Sequence, residues 1–163
     1  MIRLRQMTHG EPISIFLPSE EDTTRLGAWF APRLRAGDTI LLSGSIGAGT
    51  SHFARALIRA RLGRAEDIPS PTFTLVQTYE ADVEIWHSDL YRLSHPDEVL
   101  ELGLDEAFST AICLIEWPDR LASLTPETAI SINLSAQGDG RIAVINAACR
   151  DDLFAALQRD WAK

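Results

Sequence analysis

The stretch TILLSGSIGAGTSHFARALIRARLG, residues 39–63, decides the fold. Its first six residues, TILLSG, are mostly apolar and do not alternate, which is typical of a parallel-sheet strand buried on both faces. A glycine-rich loop follows this strand. The segment SHFARALIRARLG then has helical spacing, with Phe53, Leu57 and Ile58 on one apolar stripe and Gly63 as the stop signal. The stretch therefore predicts a strand, a glycine loop and a helix in direct succession.

The loop matches the phosphate-binding pattern GxxxxGK[ST] at every specified position except the lysine. Glycines suit such a loop because main-chain N–H groups must wrap closely around phosphate oxygens. A bound phosphate would also meet the positive end of the helix dipole. The alternative is a structural glycine turn between strand and helix. The predicted nucleotide-binding residues of the loop are Gly44, Ser45, Ile46, Gly47, Ala48, Gly49, Thr50 and Ser51.

The segments around this stretch alternate between strand and helix patterns. Before it, ISIFLP predicts a strand. Ser19 is then the predicted start of a helix, with Asp22 completing an imperfect capping box. Pro32 is expected to kink or divide this helix. After it, the patterns predict in chain order the strands FTLVQTYEA and VEIWHSDLYRL around a tight turn, a helix over PDEVLELG, a buried strand over AICLIEW, the strands TAISINLS and RIAVINA around AQGDG, and a closing helix over DDLFAALQRDW.

This order predicts an α/β fold of the P-loop NTPase type. Its sheet is expected to be mainly parallel and flanked by helices, with a C-terminal antiparallel hairpin. The length of 163 residues fits a single domain spanning 1–163. No apolar run is long enough for a membrane helix, and the start has no secretory signal, so we expect a cytoplasmic protein.

The charge balance disfavours direct binding of nucleic acid. Acidic side chains number 23 and basic ones 15, and the net charge of −8 repels a polyanion. Four arginines are an exception to this acidic balance. They lie in the predicted second helix and just after it, and they form either a solvated face or a contact with tRNA or a partner: Arg55, Arg59, Arg61 and Arg64.

Cys113 and Cys149 have no metal-binding or redox spacing, and we predict that both are buried, reduced thiols.

Two acids end predicted strands. Asp89 stands near the end of one strand and Glu116 near the end of another. The segment SPTFT supplies Ser70, Thr72 and Thr74 in a loop. Carboxyl ends of parallel strands face the crevice in which open α/β sheets bind ligands. A carboxylate there can hold magnesium directly or through water, and Ser51 would offer a hydroxyl to the same ion. The alternative for each acid is a surface charge at a strand end.

Together these segments resemble the TsaE family, also called YjeE, which comprises small bacterial ATPases required for threonylcarbamoyladenosine modification of tRNA. The resemblance covers nearly the whole chain. Its most specific motifs are SPTFTLV, DLYRL and IEWP in this order, and it also includes TTRLG, GSIGAGTSHFARAL, ELGLDEAF and the final hairpin. A phosphate loop by itself would be far less specific.

The resemblance implies bound ATP or ADP and Mg²⁺ in the loop. It implies that Ser51 and Glu116 are metal ligands, that Asp89 is the Walker B-type acid at the same metal, and that Thr72 is a switch-like threonine near the γ-phosphate. With Asp89 and Glu116, Thr72 forms the catalytic set that the resemblance suggests. Two further residues are placed near the nucleotide by the resemblance: Thr23 and Arg141.

The resemblance also implies partners. Members of the family support the TsaB and TsaD proteins, which transfer a threonylcarbamoyl group to adenosine 37 of tRNA. The family member does not perform that transfer. Contact with tRNA is therefore expected only through the complex, and no membrane is involved.

Two positions depart from the family's loop pattern, GDxGAGK[ST]. Ser45 replaces the acid and Thr50 replaces the lysine. A charge-assisted hydrogen bond from lysine to phosphate is worth roughly 1.5–3 kcal/mol, and its loss weakens binding about ten- to a hundred-fold. Hydrolysis should decline further, because the same cation stabilises the charge that develops on the transferred group. We therefore expect weak nucleotide binding and slow or absent turnover.

Three explanations of the missing lysine stay open: a divergent member with weakened or lost activity, a member in which another cation such as Arg55 or Arg92 replaces the lysine in space, and a deliberately altered sequence.

Two other functions are alternatives to an ATP-binding accessory protein. A small-molecule kinase would need an arginine-bearing lid, and no such insertion follows the helices. A nucleotide-independent scaffold docking on TsaB and TsaD is favoured by Ser45 and Thr50.

Overall fold

The computed structural model describes residues 11–45, 47–71 and 74–161. Its strands are β1 Ile13–Leu17, β2 Thr39–Gly44, β3 Val76–Tyr79, β4 Ile85–Asp89, β5 Ile112–Glu116, β6 Ile130–Gln137 and β7 Gly140–Asn146. Its α-helices are α1 Glu20–Phe30, α2 Thr50–Leu62, α3 Asp97–Glu101, α4 Leu104–Thr110 and α5 Asp151–Asp160. Short 3₁₀ helices cover Ala31–Arg33 and Pro118–Leu124. Within these described ranges, no helix has the length and apolar character to span a bilayer.

The strands form one sheet in the order β1-β7-β6-β2-β5-β4-β3. Strands β6, β2, β5 and β4 are parallel neighbours, while β7, β1 and β3 pair antiparallel at the two edges. The predicted α/β fold with a parallel core and a C-terminal hairpin is confirmed. The sequence did not predict that β1 extends the hairpin, with Ile13 opposite Ile145.

Helices cover both faces of the sheet. Strand β5 shows the two faces clearly, because Ile112 and Leu114 join the cluster with α1, α2 and α5, whereas Cys113 and Ile115 join the cluster with α3 and α4. All five residues of β5 are buried. The apolar, non-alternating pattern of the central strands follows from this two-sided burial.

The helix termini follow the predicted signals. The main-chain N–H and the hydroxyl of Ser19 both donate to Asp22, at 3.1 and 2.8 Å, so the predicted box begins α1. The α-helix ends at Phe30, and Pro32 lies in the 3₁₀ turn that follows. Gly63 ends α2 with a left-handed φ of 74°. The sequence did not predict α4 or the 3₁₀ helix after β5, both of which are short.

One of the four arginines in the α2 region ties that helix to the segment after α1. Arg61 donates from Nη1 to the carbonyls of Ala31 and Leu34, at 2.6 and 2.7 Å, and from Nε to Asp82 at 2.9 Å. These contacts give Arg61 a structural role.

The prediction for the cysteines is half wrong. Cys113 is buried, and burial raises the pKa of its thiol to about 12. Cys149 is exposed instead, because it lies beyond the end of β7 in the connection to α5, and its thiol donates to the carbonyl of Glu127 at 3.5 Å.

Helices α1 and α2 approach closely at Gly27. A Cβ added there would lie 2.9 Å from the carbonyl oxygen of Phe53 and 3.1 Å from both the Ala56 Cβ and the Leu57 nitrogen. Helical backbone cannot move away locally, so a larger residue at this position would push the two helices apart.

Gly27→Ala is therefore expected to lower the free energy of unfolding by about 1–3 kcal/mol, the range typical of an overpacked core. The change would occur although alanine favours a helix over glycine by about 1 kcal/mol. Urea denaturation followed by circular dichroism measures it. Ala28→Ser, at the exposed neighbouring position, is the control and should stay within about 0.5 kcal/mol. A Gly27→Ala protein as stable as the parent would contradict this packing argument.

Candidate functional site

Three adjacent parallel strands end at one edge of the sheet. Strand β2 ends at Gly44 and leads into the glycine loop, while β5 ends at Glu116 and β4 at Asp89. In the sheet register, Glu116 lies between Leu42 of β2 and Asp89 of β4. Neighbouring strands are about 4.8 Å apart. Glu116 therefore stands one strand away from β2, which leads into the loop, and Asp89 stands two strands away. The prediction that the two acids share this edge is confirmed.

The loop has a conformation that needs its glycines. Gly49 has a φ of 100° and caps the start of α2. A Cβ added to Gly44 would overlap the carbonyl oxygen of Leu134 in β6. The first N–H groups of α2, which lack partners within the helix, face the loop side of this turn. This strand, loop and helix arrangement suits an anion.

Glu116 is directed at the loop by three hydrogen-bond partners. Its Oε1 accepts from the Thr50 hydroxyl at 3.1 Å and from the Ser51 hydroxyl at 2.9 Å. Its Oε2 is hydrogen-bonded to Nε2 of His87 at 2.7 Å. Glu116 is only 4% exposed and His87 is fully buried. The carboxylate, the imidazole and the start of α2 are therefore one connected unit.

These contacts decide the ionisation of Glu116. Burial by itself would raise the pKa of this carboxyl. The hydrogen bond and charge of His87, together with the hydrogen bonds from Ser51 and Thr50, outweigh burial and hold the pKa of Glu116 below its ordinary value of 4.5. At neutral pH Glu116 is therefore a carboxylate, as a metal ligand must be.

Asp89 belongs to the same cavity. Its Oδ1 accepts the main-chain N–H of Tyr91 at 3.0 Å, and the residue is largely buried. The cavity has a volume of about 390 Å³, within the range of small-molecule sites. It is lined by Gly44, Ser45, Gly47, Thr50, Ser51, Ser70, Asp89, Tyr91, Glu116 and Trp117. The loop, both acids and the Ser51 hydroxyl thus face a common space.

Three residues at the site were not predicted from the sequence. Tyr91 and Trp117 line the cavity, whereas His87 is fully buried, is hydrogen-bonded to Glu116 and does not line it. His87 lay inside the quoted motif, and its signal was a position two residues before Asp89, on the same face of β4. Tyr91 and Trp117 form an aromatic wall, with ring centroids 4.7 Å apart. Trp117 has a left-handed φ of 59°, which is uncommon outside glycine and directs its ring beside Glu116.

The remaining predicted residues fall in different places. Ile46 and Thr72 lie outside the described residues. Thr23 is fully buried in α1 and does not line the cavity, so its contact with nucleotide stays a prediction. Arg141 lies against the loop, because a Cβ added to Gly49 would be 2.6 Å from its Nε.

The donor set fits magnesium and phosphate chemistry. Magnesium prefers oxygen ligands, and the Ser51 hydroxyl and the carboxylates of Glu116 and Asp89 provide them around one cavity. The loop glycines leave room for a close approach of phosphate oxygens. Thr50 is the exception, because its hydroxyl donates to Glu116 and it has no charge to offer a phosphate.

Comparison with known proteins decides the family. The family model described as threonylcarbamoyl adenosine biosynthesis protein TsaE matches residues 17–143. This chain belongs to the TsaE family. It is 40% identical over 137 residues to the tRNA threonylcarbamoyladenosine biosynthesis protein TsaE of Rickettsia bellii, covering 83% of this chain and 93% of that protein. The protein of the same name from Haemophilus influenzae is 35% identical over 138 residues, covering 80% of this chain and 87% of its own length.

A solved structure agrees with this TsaE assignment. The crystal structure of Bacillus subtilis YdiB superposes with a TM-score of 0.78 at 25% identity, covering 94% of this chain and 97% of that one. The resemblance drawn from the sequence motifs is confirmed. The role of the TsaE family, to which this chain belongs, is tRNA threonylcarbamoyladenosine biosynthesis.

Proposed function

We propose that this chain binds ATP with magnesium in the loop 44–51 and, in that state, supports the TsaB and TsaD transferase that modifies adenosine 37 of tRNA. The observation that carries the proposal is the shared cavity, in which Glu116 is hydrogen-bonded to Thr50 and Ser51 and Asp89 stands beside it. This combination of phosphate loop and carboxylates is what phosphoryl-transfer proteins use to hold magnesium triphosphates.

Each residue has a role in the proposed site. The main-chain amides of the loop would hold phosphate oxygens, and Ser51, Glu116 and Asp89 would hold the metal. Thr72 would contact the γ-phosphate, and Arg141 the phosphates from the other side of the loop. Bound magnesium supplies the charge that stabilises the transferred phosphoryl group.

Turnover should be slow or absent. The hydroxyl of Thr50 donates to Glu116 and cannot stabilise negative charge on a transferred phosphoryl group as an ammonium does. ATP would then act mainly as a bound ligand that sets the state of the protein for its partners. Contact with tRNA would be made through the complex in the cytoplasm, in keeping with the net charge of −8.

A second function has its own support. Within the protein, Glu116 has three hydrogen-bond partners, Thr50, Ser51 and His87. Because these hydrogen bonds come from the protein itself, they would hold the site rigid. The chain could then serve as a nucleotide-independent scaffold that docks on the same TsaB and TsaD partners.

Reconstitution separates the two functions. Threonylcarbamoyladenosine formation on tRNA would be measured with purified TsaB and TsaD and a supply of activated threonylcarbamoyl donor, with this chain added in the presence or absence of ATP. Stimulation that requires ATP supports the proposed nucleotide-dependent role. Equal stimulation without ATP would establish the scaffold instead.

Glu116→Gln is expected to weaken the binding of magnesium ATP by about tenfold or more, because an anionic ligand of the metal is lost. Binding of ATP in EDTA should change little, since the loop amides are untouched. Calorimetric titration with and without magnesium measures both. Glu101→Gln on α3 removes an exposed carboxylate and is the matched control. Equal magnesium dependence in the parent and in Glu116→Gln would argue against the metal role.

A further inference from the structure

A buried histidine stands behind the carboxylate of Glu116. His87 is the third residue of β4 and pairs in parallel register with Leu114, two residues before Glu116 in β5. Its Nε2 lies 2.7 Å from Oε2 of Glu116, and neither side chain is more than 5% exposed. His87 does not line the cavity of the loop and the two acids. The imidazole can therefore affect a ligand in that cavity only through the residues that it contacts.

The chemistry of the two groups fixes the direction of their hydrogen bond. Glu116 is a carboxylate at neutral pH, and both oxygens of a carboxylate are acceptors only. Nε2 of His87 must therefore carry a proton and donate it to Oε2. The other ring nitrogen, Nδ1, is buried and has no hydrogen-bond partner among residues 11–45, 47–71 and 74–161. Within these residues the polar chemistry of the imidazole is directed at Glu116 alone.

The two oxygens of Glu116 are held by different parts of the fold. Oε2 is bound by His87 from within the sheet, whereas Oε1 faces the start of α2 and accepts from the hydroxyls of Thr50 and Ser51. The terminal torsion of a glutamate side chain is soft, so the carboxylate would otherwise rotate between several orientations. The hydrogen bond to His87 fixes this torsion and keeps Oε1 on the side of Ser51.

Packing alone does not explain a histidine at this position. The strand contributes Ile85 to the apolar core on the same face, and an apolar side chain in place of His87 would fill that core without burying an unpaired nitrogen. A buried polar atom without a partner is unfavourable. The hydrogen bond to Glu116 is the contact that an apolar residue could not supply.

We propose that His87 is a positioning residue, whose Nε2–H holds Oε2 of Glu116 so that Oε1 stays directed at the metal position beside Ser51. The inference rests on the proposed function and adds the residue that prepares its metal ligand. Removing a group that hydrogen-bonds a metal ligand typically lowers metal affinity about 10–100-fold. The main-chain amides of the loop 44–51 do not depend on this bond, so nucleotide binding without metal should not need it.

The test compares His87→Gln with His87→Asn. The amide nitrogen of glutamine reaches the place of Nε2, whereas that of asparagine reaches only the place of Nδ1 and cannot donate to Oε2. A non-hydrolysable ATP analogue is titrated calorimetrically into each protein in magnesium and in EDTA. His87→Asn should lower the gain in affinity from magnesium about tenfold or more, while His87→Gln should stay within about threefold of the parent. His95→Gln changes an exposed histidine and is the matched control.

Two further measurements separate positioning from a general loss of structure. Affinity for the analogue in EDTA should be the same in the parent, His87→Gln and His87→Asn, because the loop amides are intact. In the Glu116→Gln background, where the anionic ligand is already gone, His87→Asn should lower the gain from magnesium about twofold or less. A loss in EDTA equal to the loss in magnesium would show that His87 only supports the fold, and it would overturn the inference.

The remaining outcomes distinguish this inference from the proposed function. An equal gain from magnesium in the parent and in His87→Asn would overturn the role of His87 and leave nucleotide binding standing, as would equal losses in His87→Asn and His87→Gln. No binding by the parent would overturn both. If His87→Asn does not fold, as judged by circular dichroism, His87→Leu replaces it. It has no donor and should lose the gain from magnesium, and a parent-like gain would contradict the inference.

Discussion

Thr50→Lys should tighten the binding of magnesium ATP about ten- to a hundred-fold, through a charge-assisted hydrogen bond worth roughly 1.5–3 kcal/mol. The gain should be nearer the lower end of this range, because Arg141 already brings one positive charge to the loop. Loss of the Thr50 hydroxyl leaves Glu116 with two hydrogen-bond partners, Ser51 and His87. Glu116 should therefore keep its position as the proposed metal ligand.

The rate of ATP hydrolysis should rise by a larger factor than the affinity. An ammonium beside the β- and γ-phosphates stabilises the charge that develops during transfer, and Thr50 contributes nothing of that kind. Phosphate release at saturating ATP measures this effect, and calorimetry measures the affinity.

Thr50→Gln is the control for this substitution. It removes the same hydroxyl and adds length without charge, and it should give no gain in affinity or rate. If Thr50→Lys gave no gain over the parent, the introduced ammonium would be engaged elsewhere, most simply with Glu116, and our account of the missing lysine would be wrong.

Arg150→Ala is expected to lower the free energy of unfolding by about 3–5 kcal/mol, the typical cost of breaking a buried ion pair by removing one partner. Arg150 and Asp38 are 6% and 8% exposed, and their side chains form an ion pair. Nη2 of Arg150 also donates to the carbonyl of Arg33 at 3.1 Å. Arg150 therefore ties the start of α5 to the turn before β2, and its loss leaves Asp38 buried without its cation.

Urea denaturation followed by circular dichroism measures this loss. Arg159→Ala removes an arginine whose side chain is 68% exposed and pairs with Asp160, and it should cost less than about 1 kcal/mol. In Arg150→Ala with Asp38→Asn the unpaired charge is also removed, so part of the stability should return. Equal effects of Arg150→Ala and Arg159→Ala would show that the buried pair contributes no more than a surface pair.

Local elements of the fold were predictable because their signals are local. The burial pattern of β2, the glycines after it and the apolar stripe of α2 lie within 25 consecutive residues, 39–63. The pairing of β1 with β7 was not predictable, since Ile13 and Ile145 meet only in the folded sheet. Nothing in the alternation of either strand indicates its partner, which is set by long-range packing.

The candidate site, like the fold, has features that could be predicted from the sequence and features that could not. Asp89 and Glu116 could be placed together because carboxyl ends of parallel strands share an edge of the sheet. The hydrogen bond between His87 and Glu116 could not, because a histidine in an apolar strand does not indicate a partner 29 residues away. The sequence showed Thr50 only as a missing charge, while the structure shows that its hydroxyl also helps to hold Glu116 in place.

The central claim is that the loop 44–51 and the two strand-end acids form a site for magnesium ATP. A crystal structure of the chain grown with magnesium and a non-hydrolysable ATP analogue tests it most directly. We expect the phosphates within hydrogen-bond distance of the main-chain amides of the loop, with the metal beside Ser51 and Glu116. An analogue bound elsewhere, or an empty loop at saturating analogue, would contradict the account.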